Sequence, residues 1–444
     1  MLERKIDDEL LKWKGSKSNK ACIINGARQV GKTFSVRHFA AKNYKSTFEL
    51  NFLENPRLKD IFSGALDAKS VLLGICLNFP NIQFQEGNTL LFLDEIQECP
   101  GAITALKFLS TSENFDVIAT GSALGMAYGT TSSFPVGSTH NITMHSLSFE
   151  EFLWACGIER SLIETLKSYF ASKTQVPVAV NNKMLELLRE FLVVGGMPEV
   201  VQNYVESNDL KSVHELQKNI YSDYVNDIAR FSKPDIKIKA ERCFKSIPNQ
   251  LLKENHKFQY SKVERKGTAR KFECSLDWLL NAHMAKRVHN VSKIEFPLMN
   301  FSKQDNFRIY MNDIGLLVST FDFSIKRALL NDRSIENPLP HNLVLRTAKG
   351  GIYEALAFDL LSKNNHNNIF FYRNNQGNTE IDFLIEGENG VLPLEVKAGA
   401  KTKTKSLNKV LESPEISCGY KFGSQNIGTS DKLVTMPLYM LMFV

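Results

Sequence analysis

The segment from Gly26 to Thr33 has the residue types and the spacing of a phosphate-binding loop. It fits the pattern G-x-x-x-x-G-K-[ST] at every fixed position. Gly26 and Gly31 permit the tight bend that points consecutive backbone N–H groups at a β-phosphate. Lys32 would reach the β- and γ-phosphates, and the Thr33 hydroxyl would ligate Mg²⁺ where a helix begins. We prefer this interpretation to a chance glycine turn with an exposed lysine, so the predicted ligands are ATP and Mg²⁺.

Two carboxylates end a second informative segment. The apolar run Thr89–Leu93 is followed by Asp94 and Glu95, which is typical of a buried parallel strand whose C-terminal end faces a ligand. Asp94 would hold Mg²⁺ through water. Glu95 would orient and deprotonate the attacking water, so it is predicted to be catalytic. A core strand with solvated acids at its end is the alternative, and the preceding phosphate loop argues against it.

A further strand-like segment, Asp116–Ser122, also ends in polar residues. Thr120 or Ser122 would lie near a γ-phosphate, although an ordinary strand end explains these residues equally well. The residues predicted to bind ATP are therefore Gly26, Ala27, Arg28, Gln29, Val30, Gly31, Lys32, Thr33, Phe34, Asp94, Glu95, Thr120 and Ser122.

A second set of chemistry-bearing residues lies towards the C terminus. In the strand-like run Val391–Ala398, Glu395 and Lys397 share one face because side chains alternate along a strand. Asp382 lies thirteen residues before Glu395, in the neighbouring strand-like run. Two carboxylates can hold a divalent cation against a scissile phosphate while a lysine positions or deprotonates the water. The predicted ion ligands are Asp382 and Glu395, with Mg²⁺ or Mn²⁺ as the ion.

This second set resembles the core of the PD-(D/E)xK nucleases. The resemblance implies metal-dependent cleavage of nucleic acid by Asp382, Glu395 and Lys397. It adds Glu354, on the preceding amphipathic helix, as the acidic residue often found there. Ile381 stands where the family's name has proline, at a position that varies. The alternative is a charged strand face on a degenerate nuclease fold that only binds a partner, and the presence of all four residues favours a working site.

Residues 257–308 carry the strongest excess of positive charge, with eleven Lys and Arg against five Asp and Glu. A short helix from Ser261, a break at Gly267, a helix over Cys274–Val288 and a strand over Lys293–Leu298 suggest a winged helix. A solvated charged face and a protein-contact module are the alternatives. The residues predicted to contact nucleic-acid phosphates, with DNA preferred to RNA, are Lys262, Arg265, Lys266, Arg270 and Lys271.

The composition excludes several classes of protein. The chain has 444 residues, of which 43% are hydrophobic and 23% charged, as in soluble globular proteins, and its net charge of +6 is mild. Seven cysteines without a C-x-x-C pair argue for reduced thiols rather than a disulfide framework or a zinc site. The apolar run Leu433–Val444 is shorter than the roughly 20 residues of a membrane helix. We predict a buried terminal strand there, and a cytoplasmic protein without signal peptide or membrane segment.

These sites require an α/β multidomain fold. The predicted parts are residues 1–150, 151–231, 232–308 and 309–444. The first is a P-loop ATPase core on a doubly wound parallel sheet, because strands alternate with helices. The second is helical, either a lid over that core or an ordinary bundle. The third resembles a winged helix, and the fourth an α/β restriction-endonuclease-like domain.

Motifs along most of the chain resemble those of the AAA-superfamily ATPases of bacteria and archaea. They are GARQVGKT, TLLFLDEIQ, VIATGS, SFPVG and SLSFEEFL in the first half, and VVGGMPEVVQNY, RIYMNDIGLL and GGIYEALAFDLL in the second. The likeness is greatest to the group whose C-terminal half is a domain of unknown function. It implies ATP hydrolysis. Ser138 stands where relatives carry a basic residue, which implies slow hydrolysis or another arginine. Rings are common among such cores, so a homo-oligomer is expected by analogy.

Two hypotheses of different classes follow. The first is a DNA-associated ATPase with a fused metal-dependent nuclease-like domain, in which the nucleotide state moves the helical part and gates the C-terminal site. The second is an ATP-switched binding or scaffold protein whose nuclease-like fold is inactive and contacts a partner. The complete set at Glu354, Asp382, Glu395 and Lys397 favours the first.

Overall fold

The computed structural model describes residues 2–16, 20–83, 85–112, 114–122, 137–232, 234–253, 256–331, 343–364, 366, 368–387, 390–399 and 404–444. The chain divides into two compact units. One consists of Glu3–Ser146 with Trp278–Met284, and the other mainly of Leu147–Asp277 and Ala285–Val444. Most of the SFPVG motif, residues 133–136, lies outside the described residues. Among the residues that are described, no helix is long and apolar enough to cross a membrane.

The N-terminal unit contains a five-stranded parallel sheet in the order β2-β3-β4-β1-β5. Its strands are β1 (Ala21–Asn25), β2 (Ser46–Asn51), β3 (Thr89–Asp94), β4 (Asp116–Gly121) and β5 (Thr139–Thr143). Its helices are α1 (Lys5–Gly15), α2 (Lys32–Asn43), α3 (Ala68–Asn78) and α4 (Pro100–Leu109). Every residue of β3 is buried, as expected for a central parallel strand with both faces covered. The parallel sheet predicted for this part of the chain is therefore formed.

The second unit begins with helices. They are α5 (Phe149–Ala155), α6 (Arg160–Ser172), α7 (Val178–Val194), α8 (Pro198–Ser207), α9 (Leu210–Phe231), α10 (Pro234–Leu251), α11 (Tyr260–Val263) and α12 (Ala269–Asn281), whose last residues belong to the N-terminal unit. Helix α5 starts with a capping box, in which the Ser148 side chain accepts from the Glu151 N–H and the Glu151 carboxylate accepts from the Ser148 N–H. The region predicted to be helical between residues 151 and 231 is helical.

An eight-stranded mixed sheet forms the C-terminal part, in the order β12-β13-β11-β10-β9-β8-β6-β7. Its strands are β6 (Ala285–Val291), β7 (Ser302–Met311), β8 (Ile369–Arg373), β9 (Glu380–Gly387), β10 (Gly390–Val396), β11 (Gly419–Gly423), β12 (Gly428–Ser430) and β13 (Leu433–Pro437). The accompanying helices are α13 (Ile314–Ser319), α14 (Phe323–Leu330), α15 (Leu343–Ser362) and α16 (Lys405–Leu411). Strand β10 pairs antiparallel with β9 and parallel with β11.

Three local predictions are wrong, two of them only in part. The helix predicted over Cys274–Val288 ends at Asn281, and Ala285 already begins β6. No strand forms over Lys293–Leu298, which connects β6 to β7 and contains a proline that cannot donate to a sheet. In the run Leu433–Val444, which was predicted to be a terminal strand, the strand ends at Pro437 and a 3₁₀ helix, Leu438–Phe443, follows.

These corrections remove the strand on which the winged-helix interpretation rested. Strands β6 and β7 pair with each other, and β6 also pairs in parallel with β8 of the C-terminal sheet. The predicted boundary between residues 308 and 309 falls inside β7. Residues 285–311 therefore extend the C-terminal sheet.

Candidate functional sites

The phosphate-binding loop connects β1 to α2 and requires glycine at its start. Gly26 has a φ of +154° and Gly31 a φ of +96°, conformations that favour glycine. A Cβ atom at Gly26 would lie 2.1 Å from the carbonyl oxygen of Met144, so the loop passes too close to the residue after β5 for any side chain. The helix that follows begins at Lys32, and its N-terminal N–H groups supply an anion site.

Lys32 lies inside this loop. Its side chain is buried, and its ammonium donates to the carbonyl oxygens of Gly26 at 2.9 Å and Ala27 at 2.7 Å. Burial lowers the pKa of Lys32 to about 8, although the nearby Glu95 and Asp94 carboxylates partly offset this effect. A desolvated ammonium that donates to neutral carbonyls gains from a phosphate group, so the loop fits the triphosphate of ATP.

Asp94 is the centre of a hydrogen-bonded cluster at the C-terminal ends of three strands. Its buried carboxylate accepts from the Thr33 hydroxyl at 3.0 Å, from the Asn51 amide at 3.1 Å and from the Thr120 hydroxyl. Burial raises the pKa of Asp94, and the Thr120 hydrogen bond acts in the opposite direction. A hydroxyl and a carboxylate in contact at the start of a helix are the residue types that hold Mg²⁺ beside a nucleotide, so the site fits that ion.

The remaining residues of the predicted ATP set lie around this cluster. Glu95 follows Asp94 in the left-handed conformation, with a φ of 52°, and its carboxylate accepts from the Gln97 amide. Phe34 is exposed and stacks on His38 of the same helix. Ala27, Val30 and Ser122 are buried, Arg28 is partly buried and Gln29 is exposed.

Two residues of this site were missed by sequence reasoning. Asn51 ends β2 directly opposite Asp94 of β3 in the parallel register, so its position at a strand end was the available signal. Arg4 is buried and donates to the Val30 carbonyl at 3.0 Å and to the His145 carbonyl at 2.8 Å. It thus holds the phosphate-binding loop from the segment before α1, and no local pattern indicated this.

The C-terminal set is brought together in the eight-stranded sheet. Strands β9 and β10 are antiparallel, and Phe383 pairs with Leu394. The next residues along this register, Asp382 and Glu395, therefore lie beside each other. The backbone N–H of Val396 donates to the Asp382 carboxylate at 2.7 Å. The Lys397 ammonium lies 2.5 Å from Glu395 Oε1. Asp382, Glu395 and Lys397 are therefore neighbours, as the alternation along β10 predicted.

Glu354 reaches the same region from α15 but is already engaged. Its buried carboxylate accepts from Arg308 at 2.8 Å, from the Tyr310 hydroxyl and from His256. Burial alone would raise the pKa of Glu354, yet Arg308 and His256 outweigh it and lower the value to about 2. Burial, together with the charge on Glu354, raises the pKa of Asp382 to about 7. Glu354 thus acts on Asp382 electrostatically.

The acidic residues of this cluster meet some, but not all, of the requirements of a divalent-cation site. Glu395 Oε2 is buried and has no hydrogen-bond partner among the described residues, and burial together with the charge on Glu354 disfavours the ionised form of Asp382. A cation would satisfy both groups. However, the part of the chain that the structure describes contains no group of three or more His, Cys, Asp or Glu side chains placed to hold a metal. An ion here would have two carboxylate ligands, Asp382 and Glu395, and water would supply the others.

The predicted nucleic-acid contacts lie on α11, on α12 and on the turn between them. All five side chains are exposed: Lys262, Arg265, Lys266, Arg270 and Lys271. Lys271 and Arg242 both pair with Glu264, so part of the positive charge is neutralised within the surface itself. The five residues form an exposed basic surface.

The motifs of the second half meet in a buried ion cluster that the sequence did not reveal. The ammonium of Lys363 lies 3.2 Å from Asp313 and 2.9 Å from Asp359, and it donates to the Leu147 carbonyl at 3.2 Å. The backbone N–H of Gly196 donates to Asp313 at 2.9 Å. The two carboxylates and the ammonium are almost completely buried. Because these contacts join residues that are far apart in the chain, we infer that the buried ion cluster has a structural role.

Comparisons with known proteins assign the first part of the chain. Residues 18–153 match the AAA domain family, so this part is an AAA-type P-loop ATPase domain, which implies ATP as ligand, usually with Mg²⁺. Residues 185–327 match a domain of unknown function, DUF8612, and residues 349–439 match another, DUF4143. The predicted boundaries after residues 231 and 308 both fall inside the DUF8612 match.

Similar whole chains add little about activity. An uncharacterised protein of Methanocaldococcus jannaschii is 25% identical over 377 residues, which are 84% of this chain and 73% of that protein. A Walker-type ATPase of Pyrococcus abyssi is similar over 72% of this chain and 96% of its own, at 12% identity and a TM-score of 0.43. The Orc1 protein of Aeropyrum pernix, solved in complex with DNA, is similar over 75% and 93%, at 11% identity and a TM-score of 0.32.

Proposed function

We propose that this protein hydrolyses ATP at the Gly26–Thr33 loop and acts on DNA through a C-terminal, metal-dependent nuclease-like domain. The observation that carries the ATPase part is the buried Asp94 carboxylate, which Thr33, Asn51 and Thr120 hold beside Lys32. Such an arrangement fixes the carboxylate before nucleotide arrives, so little reorganisation is needed on binding.

Each residue of the ATP site has a distinct task in this proposal. Lys32 would exchange its two carbonyl acceptors for phosphate oxygens. Thr33 and Asp94 would hold Mg²⁺, which when bound neutralises charge that develops on the phosphates. Glu95 would orient a water molecule and accept its proton. The family resemblance implies a basic residue where this chain has Ser138, so we expect either slow turnover or the use of another arginine.

Calorimetry and phosphate release test the ATP site. Lys32→Ala should lower ATP affinity sharply, because it removes the only loop charge placed for the β- and γ-phosphates. Glu95→Gln should keep ATP binding and lose turnover, because a carboxamide cannot accept the proton of water. Lys42→Ala, an exposed lysine in the last turn of the same helix, is the control and should change neither. Unchanged ATP affinity in Lys32→Ala would refute the assignment.

The nuclease-like part rests on Asp382, Glu395 and Lys397. Their adjacency on β9 and β10, together with the unpartnered Glu395 Oε2, supports a site for one divalent ion. Asp382 and Glu395 would hold the ion, which when bound acts as a Lewis acid on a phosphodiester. Lys397 would position or deprotonate the attacking water. The exposed basic surface on α11 and α12 supports contact with a DNA backbone.

Incubation of the purified protein with labelled DNA and RNA tests cleavage directly. Reactions should contain Mg²⁺ or Mn²⁺, with and without ATP, because the proposal has the nucleotide state gate the C-terminal site. Asp382→Asn should abolish cleavage. Asp305→Asn, at an exposed position of β7 in the same sheet, should not. Cleavage that survives in Asp382→Asn would show that these residues are not the active site.

One observation favours the second candidate, an ATP-switched binding or scaffold protein. Glu354 and Glu395 are each only 4% exposed, and Arg308 occupies the position beside Glu354. In this conformation a duplex backbone cannot reach Glu354. If DNA is bound but no substrate is cut with either metal ion, in the presence or absence of ATP, the binding role is the better description. Ring assembly stays a prediction that the mass of the protein in solution with ATP would test.

A further inference from the structure

A pocket lies beside Lys397, within the second unit. It is found where the C-terminal ends of the parallel strands β10 and β11 meet helices α7 and α15. This is the edge of a parallel strand pair at which ligands commonly bind. The pocket is partly open to solvent. Its lining residues are Leu185, Leu188, Arg189, Leu192, Tyr353, Leu356, Lys397, Ala398, Gly423, Ser424 and Leu438.

Two cations face this pocket. The Nε atom of Arg189 is buried and has no hydrogen-bond partner among the described residues. A buried donor without an acceptor is unfavourable unless a ligand supplies the acceptor. The Lys397 ammonium contacts Glu395 Oε1 at 2.5 Å, and since an ammonium has three N–H donors, it can serve a second acceptor as well. Among the described residues that line the pocket, none is acidic.

The rest of the lining determines what kind of anion fits. Leucines from α7, from α15 and from the start of the terminal 3₁₀ helix make up most of the remaining wall. A small inorganic anion would leave this surface without contacts, whereas an anion carrying a flat apolar ring would cover it. The planar guanidinium of arginine presents paired donors that suit a phosphate group.

We propose that this pocket binds a nucleoside monophosphate unit, with its phosphate at Arg189 and Lys397 and its base against the leucine wall. The same Lys397 belongs to the nuclease-like set, so the pocket would take the terminal nucleotide of a strand whose next phosphodiester reaches Asp382 and Glu395. This assignment rests on the proposed nuclease-like function. It adds a preference for strand ends that carry a phosphate.

Binding measurements on the full chain test the pocket. The background is Lys32→Ala, which prevents the probe from occupying the phosphate-binding loop. The probes are thymidine 5′-monophosphate, followed by calorimetry, and labelled oligonucleotides with a 5′-phosphate or a 5′-hydroxyl, followed by fluorescence anisotropy. Arg189→Gln should weaken the monophosphate and the 5′-phosphorylated strand at least about tenfold, the lower end for loss of a charged hydrogen bond. It should also remove the difference between the two strands.

Matched variants separate binding from folding. Lys183→Gln removes an exposed charge from the same helix, where Lys183 pairs with Glu186 on the surface, and it should bind all probes like the parent. Arg189→Lys keeps a cation in the pocket and should recover part of the affinity. If Arg189→Gln binds all probes as tightly as the parent, the pocket assignment is overturned.

The outcomes also distinguish the pocket from the nuclease-like function. Cleavage that depends on Asp382 but is unchanged in Arg189→Gln would overturn the pocket and leave the proposed function standing. Arg189-dependent binding of thymidine monophosphate without binding of any strand would support the pocket for a free nucleotide and refute the role on nucleic acid. A preference for the 5′-phosphorylated strand that Arg189→Gln removes would support both.

Discussion

Replacement of Arg308 by methionine tests the electrostatic arrangement of the C-terminal site. The Arg308 side chain is 2% exposed and pairs with Glu354 at 2.8 Å and with Glu380. Arg373 pairs with the same Glu380 at 3.7 Å, but it is 31% exposed. The two arginines thus share Glu380, but Arg308 is buried and also pairs with Glu354. Arg373→Met is therefore a matched control for Arg308→Met.

The loss of folding free energy expected for Arg308→Met can be derived from the pKa of Glu354. Its pKa is about 2 in the folded protein against an ordinary value of 4.5, a difference worth about 3 kcal/mol of folding free energy. Without Arg308, the carboxylate keeps His256 and Tyr310 but loses its permanent positive partner. Breaking a buried pair in this way typically costs about 3–5 kcal/mol. An exposed pair such as that of Arg373 contributes about 0–1 kcal/mol.

Urea unfolding at several pH values measures both effects. Because the folded-state pKa of Glu354 lies below its unfolded value, the stabilisation is present above about pH 4.5 and is lost as the pH falls towards 2. Arg308→Met should lack most of this pH dependence, and it should be less stable at pH 7 by about 3 kcal/mol. Adding Glu354→Gln should recover part of the loss. A loss below about 1 kcal/mol, or an equal loss in Arg373→Met, would refute the reasoning.

Three further predictions concern other parts of the second unit. Because the pKa of Asp382 is raised from 3.8 to about 7, its contribution to stability is fully present below pH 3.8 and is lost as the pH rises through 7. Thermal unfolding should therefore show a decline towards pH 8 that Asp382→Asn lacks and that Mn²⁺ reverses only in the parent. Gly196→Ala places a Cβ atom 2.1 Å from a backbone oxygen and should destabilise by about 1–3 kcal/mol. Gly350→Ala, a helical site with no atom within 4 Å, should be neutral or stabilising in the same urea titration. Replacing Arg270 and Lys271 by alanine should flatten the log–log salt dependence of duplex DNA binding by about 0.9 for each lost contact, and an unchanged slope would exclude them from the interface.

The ATP site could be predicted wherever its signal is local. The glycines, Lys32 and Thr33 occupy fixed positions of one loop, and Asp94 ends an apolar run, so spacing along the chain was sufficient. Asn51 and Arg4 could not be found in this way. Asn51 reaches the site through the pairing of β2 with β3, and Arg4 reaches it through a hydrogen bond to Val30, 26 residues further along the chain. Both contacts exist only in the folded protein.

The proximity of Asp382, Glu395 and Lys397 was also predictable from local patterns in the sequence. Alternation along β10 places Glu395 and Lys397 on one face, and the antiparallel pairing of β9 with β10 places Asp382 beside them. The engagement of Glu354 was not predictable. In the sequence Arg308 belongs to the basic segment 257–308, whereas in the structure it is buried because β7 joins the C-terminal sheet. The strand predicted over Lys293–Leu298 is wrong for a different reason, because this segment connects β6 to β7 and contains a proline that cannot donate to a sheet.

The three motifs of the second half therefore stabilise the fold and are not evidence of a catalytic site. Lys363, Asp313 and Gly196 stand within or next to those motifs, and they hold one another inside the unit. Buried ion clusters of this kind depend on every partner being present, so the motifs would recur wherever the packing recurs. Asp382 and Glu395 lie outside them. Under the proposed function, a relative that keeps the motifs and lacks these two carboxylates would share the fold without the proposed ion site, so the two carboxylates would decide between cleavage and binding.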